Sequence, residues 1–336
     1  MALSFDVLAS TLRILRDREV DNTFRTIPLL DAVKAKGNIE KTNGGSKVNH
    51  PVILAEHSSI TQLSTGYESV NLAVKDPLRT AEFNWCDFVA PVVVTEKEQL
   101  TNKGDRAVIR IAEARLKSVM GMLQREWCKQ VVAGTSTVLT ELNTLNGETS
   151  TTGFFNKAAF GAQNANTVGG IVKADFLQSW QNQVADVAGN FSANGLSKMS
   201  NLMIQTQTYA PEGEVDIILS SPLSYELYRS ALTAQERYSS MEQMRGLSGK
   251  LGLLYNGAMM YIEPNLGFDI GGGDKMSMYF LNSKLFNVYF DQDAFFEMGE
   301  MKAISGYAAM SSNIMTRTQL AISHLAGQGV LINAEA

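Results

Sequence analysis

Cysteine, histidine and clustered positive charge are all scarce in this 336-residue chain, and each scarcity removes a class of function. The two cysteines, Cys86 and Cys128, stand too far apart in sequence to make a metal or redox motif. They read as reduced thiols, with a disulfide between them as the alternative. Of the three histidines, His50 and His57 fall on opposite faces of a regular strand and His324 is remote, so they frame no metal site. The 29 basic residues are outnumbered by 34 acidic ones, for a net charge of −5, and they are scattered. A protein that grips phosphates needs Lys and Arg in clusters, so direct nucleic-acid binding is disfavoured. No apolar run approaches the ~20 residues that span a bilayer. The opening Met1-Ala2-Leu3-Ser4-Phe5-Asp6 lacks the basic-then-apolar order of a secretory signal. Neither an internal repeat nor a Pro-rich linker marks a domain boundary.

Catalytic signatures are missing too. Gly271-Gly272-Gly273 lacks the spacing of a dinucleotide fingerprint and reads as a turn. There is no Gly-Lys-Ser/Thr phosphate loop, no Gly-x-Ser-x-Gly elbow and no His-Glu-x-x-His. Asp291, Asp293, Glu297 and Glu300 cluster, and read as solvated loop charges rather than as an acid pair or a hard-cation site. No catalytic, cofactor-binding or metal-ligating residue is assigned, and no cofactor is expected.

What is present is a chain of ordinary globular composition, 45% hydrophobic and 19% charged, long enough to bury a large core. Residues 1–45 are amphipathic but interrupted. Phe5, Leu8, Leu12 and Leu15 recur at helical spacing, and a short helix is predicted from Leu29 to Lys36 after Pro28. So little apolar surface cannot fold alone and must lie against something else. From Lys47 to about Glu96 the texture becomes strand: Val52-Ile53-Leu54, then Ile60 to Leu63, then Ala81, Phe83 and Trp85 alternating with Glu82, Asn84 and Cys86. A long two-stranded excursion is the simplest reading, and an isolated hairpin of that kind needs a partner surface.

The clearest local signal follows Asn102-Lys103-Gly104-Asp105. Val108, Ala112, Leu116, Val119, Leu123, Trp127 and Val131 form one apolar stripe over about 30 residues, or roughly 45 Å of helix. A long helix with one greasy face should lie along a sheet, and Gly134 is a plausible stop. Residues 134–172 read as mostly irregular. Phe176, Trp180, Val184 and Val187 predict another amphipathic helix from Lys173 to Ala188, stopped by Gly189. Val215 to Leu219 reads as a buried strand running into Ser221-Pro222, an N-cap followed by a first-turn proline. Strands at Met259 to Ile262, Met276 to Leu281 and Leu285 to Phe290, and an extended run from Ile314 to Leu325, close the chain.

The order of these parts resembles the Hong Kong 97-like fold of tailed-phage major capsid proteins. Ala81-Glu82-Phe83-Asn84-Trp85 leading through Pro91-Val92-Val93-Val94 to Asn102-Lys103-Gly104 looks like that family's returning E-loop strand feeding its spine helix. Asp216-Ile217-Ile218-Leu219-Ser220-Ser221-Pro222 and Tyr279-Phe280-Leu281-Asn282-Ser283-Lys284-Leu285 look like its recurring strand-to-helix and late strand-turn-strand steps. The resemblance implies an α+β fold with an N-terminal arm (1–45), an extended β-hairpin E-loop (46–98), a peripheral (P) domain with its spine helix (99–136), mainly an axial (A) domain (137–293), and closing strands of both (294–336). It further implies a non-enzymatic subunit that assembles as hexamers and pentamers into an icosahedral shell around double-stranded DNA, enclosed without specific binding.

Implied partners are other copies of the chain, together with scaffolding, portal and decoration proteins, and no membrane. Implied localisation is the virion, after synthesis in the host bacterial cytoplasm. Some relatives carry a scaffolding segment before the arm. Here the arm begins almost at Met1, so scaffolding is expected to be a separate protein or a processed prefix. Some relatives also crosslink an E-loop Lys, a position to which Lys47 and Lys75 correspond without any mark of that role. Candidate contacts between subunits are Phe5, Leu8 and Leu12 on the arm and Ile60, Leu63, Phe83 and Trp85 on the E-loop. A cellular nanocompartment shell of the encapsulin type, and an α/β enzyme with an unrecognised site, are the rival readings.

Overall fold

A computed structural model describes residues 28–54, 77–97, 105–133, 142–146, 153–163, 167–235, 252–266 and 276–335, with single positions between 62 and 69. In chain order come helix α1 (Pro28–Lys36) and strands β1 (Ile39–Thr42), β2 (Lys47–Ile53), β3 (Leu78–Asn84) and β4 (Cys86–Thr95). Helix α2 (Asp105–Ala133) is followed by short strands β5 (Thr144–Asn146), β6 (Gly153–Phe155), β7 (Thr167–Val168) and β8 (Ile171–Val172). Then come the single turn α3 (Leu177–Trp180), β9 (Gln183–Asn190), α4 (Phe191–Tyr209), β10 (Ile217–Ser220) and α5 (Pro222–Gln235). Strands β11 (Leu253–Tyr255), β12 (Ala258–Ile262), β13 (Met276–Leu281), β14 (Phe286–Asp291), β15 (Glu297–Met298), β16 (Lys302–Ala303), β17 (Ala309–Ile322) and β18 (Gly329–Glu335) complete it.

Two six-stranded sheets organise the chain. In the first, the 14-residue β17 is the common partner: β4 runs antiparallel along one edge, and β14, β15 and β16 pair along the other. Strand β1 adds outside β14 in parallel. The second sheet has the order β11-β12-β10-β13-β18-β9. Its strands read as continuous apolar runs because both faces are covered. Ile217, Leu219, Tyr279, Leu281, Val330 and Ile332 join the core shared with the first sheet. Their neighbours Ile218, Met278, Phe280 and Leu331 face the other way, against Met199, Leu202 and Met203 of α4 and Tyr228 of α5. Gly329 permits this approach, since a Cβ there would meet the Leu202 and Thr206 side chains at 2.9 Å.

The long helix lies over the first sheet, as its single stripe requires. Leu116, Met120, Leu123, Trp127, Cys128, Val131 and Val132 are buried, whereas Lys117, Arg125 and Lys129 are exposed. Trp127 meets the rings of Phe290 and Phe296 edge-on, with centroids 5.8 and 6.3 Å away. The 29-residue length agrees with the expected stripe, while its expected stop at Gly134 lies outside the described residues. The Ser221-Pro222 expectation holds as well: the Ser221 hydroxyl accepts from the Ser224 N–H at 3.2 Å, and Pro222 opens α5.

Residues 173–188 depart from the expected helix. Only Leu177–Trp180 is α-helical, after a 3-10 turn at Lys173–Asp175, and Gln183–Asn190 is a strand paired in parallel with β18. The side chains of Phe176, Trp180, Val184 and Val187 fit a helical period, but Gln183, Ala185 and Val187 also alternate, and they are the buried ones. Pairing with a strand far away in sequence decides between the two periods, and a local window does not contain it. The true helix begins at Phe191, where the Asn190 side chain accepts from the Ser192 N–H at 2.9 Å. Its polar composition and its Asn194-Gly195 pair conceal it. The region 134–172, read as irregular, holds the β5–β6 and β7–β8 pairs and buries Leu142, Leu145, Phe154 and Phe155.

Candidate functional site

The feature with most to say about function is the β2–β3 hairpin, because the two faces of this ribbon meet different surroundings. Alternation puts Val48, His50 and Val52 of β2 and Ala81 and Phe83 of β3 on one face, and all five are buried in the chain's own core. Phe83 lies edge-on to Phe154 at 6.2 Å. The opposite face carries the Lys47–Glu82 ion pair, at 2.7 Å, and the cross-strand pair Ile53 and Leu78, which are 67% and 57% exposed. An exposed apolar pair on the outer face of a ribbon is the kind of surface that a partner covers.

Four contacts fasten the root of this hairpin. Leu54 N–H donates to the Pro77 carbonyl at 3.2 Å, closing the ladder, and the Ser179 hydroxyl donates to the Leu54 carbonyl at 2.8 Å. The turn between β7 and β8 sits beneath β3: the Glu82 N–H donates to the Gly169 carbonyl at 2.9 Å. Gly169 has φ +57°, and a Cβ there would lie 2.8 Å from the Ala81 Cβ and 2.9 Å from Phe83 Cζ. Finally, His50 reaches across to the first sheet. Its Nδ1 is 2.8 Å from the Tyr289 hydroxyl of β14, and its Nε2 is 2.9 Å from the Ser323 hydroxyl after β17. Burial lowers the His50 pKa below the ordinary histidine value, and the charge of Glu40 opposes that shift. Tyr289 also bonds Glu40, and burial chiefly pushes its phenol up to about 12. His324, next to Ser323, is buried and held down to about 4 by desolvation.

A second surface is the outer side of the β4–β17 ribbon. Asp87 and Arg317 face each other there in a bidentate ion pair, at 2.7 and 3.2 Å, with Val89 and Met315 opposite one another beside them and both exposed. Among the described residues no group of three His, Cys, Asp or Glu could hold a metal ion. Of the four acidic residues read as solvated loop charges, Asp293, Glu297 and Glu300 are exposed, but Asp291 is not: it is buried at the end of β14, 3.6 Å from Arg317, where its side chain caps the turn at Asp293. Cys86 and Cys128 are both buried as thiols.

No protein-family model and no curated protein matches this sequence. Solved structures do match it along most of its length. The capsid asymmetric unit of Cyanophage A-1(L) covers 88% of this chain and 90% of its own, with a TM-score of 0.54 at 13% identity. The capsid of an empty GTA particle covers 90% and 89%, at 0.53 and 10% identity. The chain has the Hong Kong 97-like capsid fold. The encapsulin of the holo-SrpI complex from Synechococcus elongatus PCC 7942 matches as well, covering 89% and 85% at a TM-score of 0.51 and 12% identity.

Within this Hong Kong 97-like chain, five of the residues expected to touch a neighbouring subunit, Phe5, Leu8, Leu12, Ile60 and Leu63, lie outside the described residues. Phe83 and Trp85 are 4% and 8% exposed, packed in their own chain. The exposed apolar positions of the same hairpin are Ile53 and Leu78. Alternation along β2 and β3 would have separated the two sets, had the inner face been assigned to the chain itself. Gly169 and the partners of His50 carry no local signal, because each is defined by a contact with a distant segment.

Proposed function

We propose that this chain is the major capsid protein of a tailed bacteriophage, self-assembling into the icosahedral shell that encloses the viral double-stranded DNA. The observation that carries the proposal is the match of nearly nine-tenths of the chain to the capsid subunits of a cyanophage and of a GTA particle. In this reading α2 is the spine helix and the first sheet belongs to the P domain. The second sheet, with α4 and α5, is the A domain, and the β2–β3 hairpin is the root of the E-loop. Contacts between subunits come from the arm, through Phe5, Leu8 and Leu12, and from the E-loop, through Ile60 and Leu63 together with the exposed Ile53 and Leu78. Partners are other copies in hexamers and pentamers, together with scaffolding, portal and decoration proteins. The shell is a structural protein without catalytic activity, made in the host cytoplasm and ending in the virion.

Electron microscopy of the purified chain tests this: closed shells built of ring-shaped capsomers are expected. A small monodisperse oligomer under every assembly condition overturns the proposal. The match to an encapsulin favours a second reading, a nanocompartment shell. Particles recovered from the native source decide between them, since a phage shell holds packaged DNA and a compartment holds protein cargo.

A further inference from the structure

The chain places one titratable side chain where a long excursion joins the body of the fold. His50 is the centre residue of β2, and its ring is clamped between hydroxyls from two other parts of the first sheet, Tyr289 on β14 and Ser323 after β17. Neither partner is loosely held. Tyr289 is ring-packed on His50, with centroids 5.9 Å apart, and the Ser323 N–H donates to the Leu285 carbonyl at 2.9 Å. We infer that His50 is a protonation-sensitive latch, whose neutral ring pins the root of the β2–β3 hairpin to the first sheet and whose protonation loosens it.

The chemistry follows from the donors and acceptors around the ring. A neutral imidazole has one N–H and one lone pair, so it satisfies both hydroxyls at once, accepting from one and donating to the other. Adding a proton turns both nitrogens into donors. Ser323 and Tyr289 must then both accept, and a full charge sits in a site largely removed from water. Groups facing the ring offer limited relief. From β1, Glu40 bonds the Tyr289 hydroxyl and favours the charged ring. From β3, the residue directly opposite is Ala81. After β17, His324 is buried beside Ser323 and would itself repel a second cation once protonated. On the hairpin, Lys47 and Glu82 neutralise each other at the surface. Burial outweighs Glu40, so the docked root disfavours the charged ring, and exposing β2 to water relieves it. Acid therefore acts on the hairpin root in particular.

The inference concerns the single chain and does not require that it build a shell. Hydrogen exchange of the full-length, unassembled protein, corrected for the intrinsic pH dependence of exchange, should show a loss of protection across 47–54 and 78–84 between pH 7 and pH 5. Exchange in α2 and β13 serves as the internal reference and should change less. His50→Gln, which keeps a donor and an acceptor but cannot charge, should remove the hairpin-specific response, and His324→Asn should retain it. An unchanged response in His50→Gln, or its disappearance in His324→Asn alone, overturns the latch. If His50→Gln does not fold, exchange at the His50 ring C2 position in the wild type decides instead. A titration midpoint at or above that of an exposed histidine refutes the inference, whatever microscopy shows about shells.

Discussion

Replacing Gly169 by alanine probes how the hairpin root is held, and its neighbour supplies the control. Gly169 and Gly170 form the turn between β7 and β8, with φ of +57° and +76°. An L-residue in this left-handed region costs roughly 1–2 kcal/mol, and both substitutions incur that cost. They differ in what the new methyl group meets. At 170 nothing lies within 4 Å, whereas at 169 the methyl would lie 2.8 Å from the Ala81 Cβ and 2.9 and 3.0 Å from two carbons of the Phe83 ring. Those distances are too short for carbon atoms, and the neighbours cannot give freely. Ala81 is paired with His50 in the ladder, and Phe83 is buried against Phe154. Overpacking of this kind costs typically about 1–3 kcal/mol. Gly170→Ala should therefore lose about 1–2 kcal/mol and Gly169→Ala about 2–5 kcal/mol.

Urea denaturation of the unassembled protein measures the two losses, and hydrogen exchange locates them. In Gly169→Ala the loss of protection should concentrate in 78–84, where the Glu82 N–H bonds the Gly169 carbonyl. Equal destabilisation by the two alanines would refute the reasoning, since backbone strain would then account for everything. So would a loss spread evenly over both sheets, because the hairpin would then be no separate unit.

Other perturbations test other parts. Trp127→Ala removes the ring that joins α2 to Phe290 and Phe296 and should cost about 3–5 kcal/mol in urea melts. Asn190→Ala removes the N-cap of α4 and should cost about 1 kcal/mol by the same measurement. His324 titrates near 4 when folded and near 6.5 when unfolded, so above pH 6.5 it contributes no pH dependence. Between pH 6.5 and 4 the unfolded chain takes up the proton first, and stability should fall by about 3 kcal/mol, a dependence that His324→Asn should lack and that the difference between wild-type and variant urea stabilities should therefore display. Deleting residues 55–76 and joining Leu54 to Pro77 through an Asn-Gly turn should leave urea stability within about 1 kcal/mol while abolishing shells in electron microscopy; intact shells would remove the E-loop from the assembly proposal.

Legibility in the sequence depended on whether the deciding interaction was local. The stripe from Leu116 to Val131 named α2 because a helix face is specified within its own window, and Ser221-Pro222 named the start of α5 for the same reason. Strand β9 was misread because Gln183 to Asn190 acquires its conformation from β18, far along the chain. The residues flanking the helical turn before it are likewise held by contacts outside their own local window. The buried Lys173 ammonium donates to the Phe154 carbonyl at 2.6 Å, and Asn182 exchanges two hydrogen bonds with the Asn156 backbone. The hairpin fell in between. Its alternation was visible at Ala81 and Phe83, but the sequence did not reveal which partner covers the apolar side. That partner is the chain itself, which turns attention to Ile53 and Leu78 on the other side.

The same division explains how a fold can persist where sequence similarity does not. Each strand of the second sheet asks only for apolar residues on both faces, and many combinations of Val, Ile, Leu, Met, Phe and Tyr fill such a core at nearly equal cost. Identity of 10–13% to solved capsid subunits is therefore compatible with a shared backbone along nearly nine-tenths of the chain. Residues with less freedom sit at the joints: Gly329 under α4, Gly169 under β3, and His50 between two hydroxyls. Each would be replaced only together with its partners, because a methyl group or a charge at that point has nowhere to go. In the proposed shell the excursion between β2 and β3 is positioned by its root, so Gly169 and His50 would link the interior of the chain to the geometry of its outer contacts.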